Sequence, residues 1–222
     1  MKRISQTEEN YLKAIFSVSE NKGKAASTNE ISKEIQISAA SVTDMFKRLA
    51  EKGLIDYKKH KGVRLTEKGN RHATKLVRKH RLWEVFLVEK LNFDWGEVHD
   101  IAEELEHINS DELIDRLDKY LDHPKFDPHG DPIPDADGVF EVRAQILLSE
   151  LALNKTGVVV GVQEHSPTFL EYLDRMKLGL GSSIIILEKF EFDQSIRVKI
   201  GKKEHTLTAK VAKNLFIQTQ EK

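Results

Sequence analysis

The 222-residue chain lacks several features that would place it in other classes of protein. It contains no cysteine, which excludes disulfides, thiolate zinc sites, iron–sulfur clusters and cysteine nucleophiles. No segment approaches the ~20 apolar residues of a membrane helix, and no apolar segment follows the basic start of the chain as in a signal peptide. We therefore expect a cytoplasmic protein with no membrane partner. Any metal ion must be held by imidazole, carboxylate or carbonyl groups.

The charged residues, 32% of the chain, are divided unevenly along it. Residues 1–82 carry 19 Lys and Arg against 9 Asp and Glu, whereas residues 83–222 carry 16 against 27. A basic block indicates a polyanionic partner such as nucleic acid, and an acidic block indicates cations or plain solvation.

The basic block has the pattern of a winged helix-turn-helix. Ser5–Glu8 and Ser27–Glu30 have the spacing of helix capping boxes, and Ser38 can cap a third helix. That helix ends at Gly53, and its apolar positions recur at helical spacing: Val42, Met45, Phe46 and Leu49. Two short apolar runs then flank a basic tip that contains glycine, which predicts a β-hairpin wing. In such a domain the second helix of the helix-turn-helix lies in the major groove of DNA.

The exposed face of the third helix and the wing supply the candidate DNA contacts. Small and polar residues near the start of the helix allow a close approach to bases and phosphates, and basic wing residues can reach phosphates. These residues are Ser41, Thr43, Asp44 and Lys47 on the helix and Lys58, Lys59, Lys61 and Arg64 on the wing. An ordinary three-helix core with a solvated basic face is the alternative, but helix order, wing and charge agree on DNA binding.

The middle block predicts metal ligands on two consecutive helices. A long helix from Thr66 to about Leu91 carries His80 and Glu84 one turn apart. The next helix, capped by residues 94–97, carries four residues within ~100° of arc: His99, Glu103, Glu106 and His107. Mixed imidazole and carboxylate ligands suit manganese, ferrous iron or zinc, whereas separate surface ion pairs are the alternative at each position.

A proline-rich loop and a small β domain complete the chain. Four of the five prolines lie between residues 124 and 134, where Asp127 and His129 can also act as ligands. After a linker at about 136–144, four to five short strands and one helix over Pro167–Lys177 predict an SH3-like barrel. The strand segments are Ile146–Leu148, Gly157–Val162, Ser183–Leu187, Ile196–Ile200, Thr206–Ala209 and Leu215–Ile217, with residues 201–205 as a turn.

Three stretches resemble the diphtheria-toxin-repressor and manganese-transport-regulator family of metal-dependent transcription factors. They are Arg78–Glu84, residues 98–107 with their His and Glu pattern, and Pro128–Pro134. The resemblance covers the whole chain and implies a mainly α protein with a small β domain. Its parts are a winged-helix DNA-binding domain at 1–66, a helical metal-binding and dimerisation domain at 67–140, and an SH3-like (FeoA-type) domain at 141–222. It implies DNA contacts from Ser38, Ala40, Ser41, Thr43 and Asp44.

The same resemblance implies two metal sites. One would use Glu103, Glu106 and His107 with a group from the first helix near Asn10. The other would use His80, Glu84 and His99, with a ligand from the C-terminal domain (Glu164 or His165) and a loop contribution from Asp127 and His129. Glu103 stands where iron-responsive members carry cysteine, which favours Mn(II) over Fe(II) and Zn(II). Lys13 stands where short manganese regulators carry a glutamate.

The function that the resemblance implies is a non-enzymatic repressor. It would bind palindromic operators of metal-uptake genes as a homodimer when its metal is present. One alternative is a winged-helix regulator with a non-metal effector and a structural His/Glu cluster. Another is a metal-dependent hydrolase, for which the sequence offers ligands but no catalytic motif.

Overall fold

The computed structural model describes residues 4–22, 24–58 and 61–219, which form two compact units. The N-terminal unit comprises Met1–His80, Glu104–Ser110 and Pro134–Phe140. The C-terminal unit comprises Arg81–Glu103, Asp111–Ile133 and Glu141–Lys222.

The N-terminal unit contains the expected winged helix. Its elements are α1 (Gln6–Lys22), α2 (Thr28–Glu34), α3 (Ala39–Glu51), β1 (Ile55–Lys58), β2 (Gly62–Leu65) and the first part of α4 (Glu67–Leu91). The predicted capping box is confirmed at Ser27 and Glu30, and Ser38 accepts a hydrogen bond from the Ser41 amide at the start of α3. The antiparallel pairing of β1 with β2 forms the wing. The wing residue Lys59 lies outside the described residues.

The periodic apolar residues of these helices form the core of the N-terminal unit. Six large aliphatic and aromatic side chains there are at most 1% exposed: Leu12, Ile15, Ile31, Phe46, Leu49 and Leu54. Burial of each such side chain stabilises the fold by about 1.5–3 kcal/mol. The segment 134–140, expected to end in a linker, packs on this core because the Phe140 ring stacks on Phe16 at 5.7 Å.

Part of the C-terminal unit is helical, with the second half of α4, most of α5 (Val98–Leu105) and α6 (Asp111–Tyr120). Leu82, Val85, Ile114 and Leu117 form its helical core. The prediction that Glu106 and His107 lie on the helix with His99 is wrong, because α5 ends at Leu105. Both residues lie in the following turn, where long-range side-chain bonds hold them.

The remaining strands form one antiparallel sheet in the order β3-β8-β4-β5-β6-β7. The strands are β3 (Ile146–Leu147), β4 (Thr156–Val162), β5 (Ser183–Lys189), β6 (Ile196–Ile200), β7 (Lys203–Leu207) and β8 (Leu215–Thr219). Two helices accompany them, α7 (Pro167–Arg175) and α8 (Ala209–Ala212). The expected fold class, a mainly α protein with a winged helix and a small β domain, is confirmed.

Two details of this β region differ from the expectation. Residues 201–205 are not all a turn, because Gly201 and Lys202 alone connect β6 to β7 and Lys203 begins β7. The charged residues that suggested a turn belong instead to an edge strand, where exposed charge is common. Thr208 caps α8, so the strand ends at Leu207 and does not reach Ala209. None of the helices in the described part of the chain combines the length and hydropathy that a bilayer crossing requires.

Candidate metal centres

Three buried ligand groups meet in the C-terminal unit, and we call them the Glu84 cluster: Glu84, Asp127 and His129. Each side chain is at most 3% exposed. One ligand atom from each lies within 4.8 Å of the others, and His129 Nδ1 is 3.7 Å from Glu84 Oε2. The spacing is wide enough for a bound ion to sit between them.

The local fold aims these groups at one another. Glu84 lies on α4, and Asp127 and His129 lie in the proline-rich loop. Asp127 Oδ1 accepts hydrogen bonds from the amides of His129 (2.8 Å) and Asp131 (3.0 Å), which closes the loop. His129 Nε2 donates to the Trp95 carbonyl oxygen at 2.8 Å. That bond directs Nδ1 towards Glu84, which is how proteins orient a ligand imidazole.

Backbone contacts fix this loop against β4. The Val162 amide donates to the His129 carbonyl oxygen at 2.9 Å. Gly130 has a φ of +89°, and a Cβ at this position would collide with the Val160 carbonyl, so glycine is required. Arg143 donates to the carbonyl oxygens of Gly130 (3.0 Å) and Val160 (2.6 Å). The loop conformation therefore does not depend on the side chains of residues 127 and 129 alone.

The Glu84 cluster is crowded with negative charge. Burial, together with the charges of Asp131 and Glu84, raises the pKa of Asp127 to about 7, although Arg81 Nε lies 3.5 Å from Asp127 Oδ2. For His129 the burial lowers the pKa, but the adjacent Glu84 carboxylate outweighs burial and raises the pKa to about 9. Both shifts mark a place where an additional positive charge is favourable.

Other predicted ligands lie at the rim of this cluster. His99 is half-exposed, with Nδ1 3.7 Å from Glu84 Oε1 and Nε2 3.6 Å from Glu103 Oε1. The His165 ring stacks on His129 with centroids 4.8 Å apart, and burial lowers the pKa of His165. Glu164 accepts a hydrogen bond from the Ser166 amide at the start of α7, which lowers the pKa of its carboxyl. His165 therefore lies beside the cluster, whereas Glu164 serves as a local cap.

The N-terminal unit holds a second set of ionisable groups, the Glu106 cluster: Lys13, His80 and Glu106, with His107 and Glu9 beside them. Glu106 Oε2 lies 2.6 Å from both Lys13 Nζ and His80 Nδ1. His107 Nδ1 lies 2.7 Å from Glu9 Oε2. Within this unit His80 therefore contacts Glu106.

Neighbouring cations determine the protonation state of Glu106. Its side chain is 1% exposed, and burial raises its pKa, but the hydrogen bond from His80 and the charge of Lys13 outweigh burial and lower the pKa below its usual value. Of the other members of the predicted first set, Asn10 is exposed on α1 and Glu103 is counted with the C-terminal unit. Glu9 was not predicted, because a contact with a residue 98 positions away leaves no local sequence signal.

The described DNA candidates lie on one accessible helix and one hairpin. Thr43 is half-buried, and the remaining described candidates are exposed: Ser38, Ala40, Ser41, Asp44, Lys47, Lys58, Lys61 and Arg64. Asp44 pairs with Lys47 at 2.9 Å, and this hydrogen bond lowers the pKa of the Asp44 carboxyl. The Asp44 charge is thus partly balanced on its own helix.

Three family matches cover most of the chain. Residues 3–63 match the iron dependent repressor N-terminal DNA binding domain, and residues 66–135 match the iron dependent repressor metal binding and dimerisation domain. Residues 146–219 match the FeoA domain.

Individual relatives agree with these matches. A solved structure of a manganese-dependent transcriptional repressor in complex with manganese has a TM-score of 0.86 and 36% identity, over 96% of this chain and 99% of that one. The diphtheria toxin repressor of Corynebacterium diphtheriae is 34% identical over 137 residues, 62% of this chain and 60% of the repressor. A probable metal transport system membrane protein of Chlamydia trachomatis is 49% identical over 86 residues, 39% of this chain and 19% of that protein. The chain thus spans less than two thirds of the length of both curated relatives.

Proposed function

The chain belongs to the iron-dependent repressor family, and on this basis we propose that it is a metal-dependent transcriptional repressor without enzymatic activity. In this proposal it acts in the cytoplasm and binds operator DNA as a homodimer when a divalent ion is bound. The observation that carries the proposal is the Glu84 cluster, where two buried carboxylates and one oriented imidazole face a common space.

The donor set of the Glu84 cluster fits a divalent ion. Glu84, Asp127 and the Nδ1 atom of His129 would hold it, with His99 and His165 close enough to adjust the site. When bound, the ion adds positive charge to that of Arg81 beside these carboxylates. Trp95 keeps the His129 tautomer that leaves Nδ1 available as a ligand. Asp131 and Arg81 form an ion pair at 3.0 Å that limits the negative charge at the rim.

We propose Mn(II) as the physiological ion. Oxygen-rich sites without thiolates suit Mn(II), whereas Fe(II) and Zn(II) also accept imidazole and carboxylate ligands. Affinity alone generally favours Zn(II) over Mn(II), so selectivity would depend on site geometry and on the ions available in the cell. Because a regulator that reads ion sufficiency would control ion supply, we propose that its operators lie at metal-uptake genes.

The winged helix would read the operator. The α3 N-terminus (Ser38, Ala40, Ser41) would approach base edges, and Lys58, Lys61 and Arg64 of the wing would contact phosphates. Two copies would place their α3 helices about 34 Å apart, one DNA turn, and so read a pseudo-palindrome.

Exposed apolar residues in the C-terminal unit support the homodimer. Four large apolar side chains there are between 38% and 65% exposed: Leu91, Phe93, Leu113 and Tyr120. Large apolar groups are unfavourable when they cluster on an exposed surface. The buried Trp83 indole nitrogen has no hydrogen-bond partner among the described residues. A second copy would cover the apolar groups.

Metal and DNA binding would be linked by reciprocity. A protein state that binds DNA better because it holds the ion must also hold the ion more tightly when DNA is bound. The test is operator selection from random DNA, followed by binding titrations at fixed salt with chelator, Mn(II), Fe(II) or Zn(II).

The decisive variant is Glu84→Gln, with Glu89→Gln as its control. Both change a glutamate of α4, but Glu89 is 53% exposed. We expect Mn(II) to strengthen operator binding of wild type and the control by about tenfold or more, in the range of allosteric coupling, and to leave Glu84→Gln unchanged. Equal binding of wild type with chelator and with every ion would contradict the proposal.

A second candidate function rests on a cavity of about 840 Å³ in the N-terminal unit. Its lining is basic, with Lys52, Lys68, Lys75 and Lys79 beside His72. Burial and then the charge of Lys68 lower the pKa of His72, as expected in a positive potential. A small anionic effector would fit there. Operator binding that does not change when metal is added, but changes with phosphorylated or polycarboxylate compounds, would favour this function.

A further inference from the structure

The Glu106 cluster already contains a cation, the ammonium group of Lys13. Lys13 Nζ lies 2.6 Å from Glu106 Oε2 and 3.1 Å from His80 Nδ1, and those two atoms are themselves 2.6 Å apart. Glu106 and His80 are 1% and 8% exposed, whereas Lys13 enters from the side and is 19% exposed. The ammonium thus occupies the point where the buried carboxylate and imidazole meet.

A divalent ion and this ammonium cannot share the cluster. Ligand distances at nitrogen and oxygen donors are about 2.0–2.2 Å for zinc, and similar ions bind at comparable range. An ion bound to both Glu106 Oε2 and His80 Nδ1 would therefore lie within about 4 Å of Nζ, where repulsion between buried positive charges is strong. The resemblance pairs Glu106 with His107, and an ion between Glu106 Oε1 and His107 Nε2, which are 3.9 Å apart, would share its carboxylate with the Lys13 ammonium. Binding would first require Lys13 to leave and to lose its hydrogen bond to Glu106.

We propose that Lys13 is the resident cation of the Glu106 cluster, and that the chain holds one divalent ion, at the Glu84 cluster, instead of the two that the resemblance implies. The second part rests on the proposed function, whereas the first part concerns Lys13 alone. Lys13 lies on α1, His80 on α4 and Glu106 after α5, so this lysine joins three segments of the N-terminal unit. In this proposal that connection does not depend on the metal supply.

The charges of the two clusters support this assignment. The Glu106 carboxylate has Lys13 at ion-pair distance, whereas the three carboxylates of Glu84, Asp127 and Asp131 have Arg81 beside Asp127 and Asp131, and His129 beside Glu84. Added positive charge is therefore favoured at the Glu84 cluster. At the Glu106 cluster it would meet a cation that is already bonded.

The test is the number of Mn(II) ions bound per full-length chain, measured by equilibrium dialysis and by the EPR signal of free Mn(II). We expect one ion for wild type and two for Lys13→Glu. The Lys13→Gln variant, which avoids adding a carboxylate, should bind a second ion more weakly. Lys33→Gln, an exposed lysine on α2, is the control and should bind one ion. Thermal melting verifies that each variant is folded.

Double variants separate this inference from the proposed function. Glu84→Gln should bind no ion, Lys13→Glu with Glu84→Gln should bind one, and adding Glu106→Gln should remove it. If wild type binds no ion, the proposed function fails, yet a Glu106-dependent ion in Lys13→Glu still supports Lys13 as the resident cation. Two ions in wild type, one of them lost in Glu106→Gln, would overturn the inference. A folded Lys13→Glu and Lys13→Gln pair that gains no ion would overturn it as well.

Discussion

The Glu106 and Glu84 clusters both contain buried His and Glu residues but balance their charge in different ways. In the first, the pKa of the buried Glu106 is lowered, because His80 and Lys13 outweigh its burial. In the second, burial and neighbouring carboxylates raise the pKa of Asp127 to about 7. The difference shows that a set of His and Glu residues does not define a metal site by itself. The side chains that supply or withhold positive charge decide whether an ion is needed.

The largest effect should follow from breaking the cluster that has its own cation. Glu106→Gln leaves Lys13 and His80 beside a neutral amide, and removal of one partner from a buried ion pair costs about 3 kcal/mol or more. We expect a loss of that size in the free energy of unfolding, measured in urea at pH 7.5. The Lys13→Met and Glu106→Leu double variant should recover much of it. A loss below about 1 kcal/mol would show that the pair contributes no more than a surface ion pair does.

The next largest effect is the pH dependence of ion binding at the Glu84 cluster. The pKa values of Asp127 and His129 are raised to about 7 and about 9, so protons occupy these ligands at neutral pH. Because ion binding must displace these protons, the affinity for Mn(II) should rise with pH between 6 and 9. For each proton released, the rise is up to about tenfold per pH unit. Mn(II) titrations in buffers of different ionisation enthalpy measure both affinity and proton release. A flat profile would exclude both groups as ligands.

The Asp127→Asn substitution should have a smaller effect on the free energy of unfolding, opposite in sign to that of Glu106→Gln. The folded-state pKa of Asp127 is above its ordinary value of 3.8, so its ionisation weakens the ion-free fold as pH rises from about 4 to about 7. The neutral amide avoids that cost and keeps an oxygen for the amides of His129 and Asp131. At pH 8 we expect the ion-free variant to be about 1 kcal/mol more stable than wild type by chemical denaturation, but to bind Mn(II) more weakly. Lower stability of the ion-free variant would contradict this charge balance.

The smallest effect is expected for Glu103→Gln. Glu103 is half-exposed, and its Oε1 lies 3.6 Å from His99 Nε2 at the rim of the cluster. Exposed ion pairs contribute little, so Mn(II) affinity should change by less than about threefold. A much larger loss in the same titration would make Glu103 a direct ligand and restore its predicted role in ion choice.

Local signals predicted the winged helix well. The Ser27 and Ser38 caps and the apolar spacing of α3 depend on residues within one or two turns, and the structure has them where expected. The partners of Glu106 could not be predicted in this way. Lys13 and Glu106 are 93 positions apart, and no periodicity connects them. The Trp95 carbonyl that orients His129 could not be predicted from the sequence either, because every residue type has a carbonyl group.

The charged residues of β7 and the end of α5 show a second reason why some elements could not be predicted from the sequence. An edge strand exposes one side of its backbone, so residues such as Lys203 and Glu204 can pair in the sheet while their side chains remain in solvent. The composition of a turn and that of an edge strand then coincide. In α5, the helical spacing of the sequence continues beyond Leu105, but the helix itself ends there. Glu106 and His107 instead form long-range side-chain bonds.

The loop that carries Asp127 and His129 is held by its backbone at Gly130 and Val162 and by Arg143. Its shape is thus held in part independently of its two ligand side chains, although Asp127 Oδ1 also accepts the amides of His129 and Asp131. Substitution at position 127 or 129 can exchange an oxygen, nitrogen or sulfur donor while the framework around it persists. Such an arrangement is evolvable, since descendants of one repressor can be retuned to a different ion by single replacements without first rebuilding the fold.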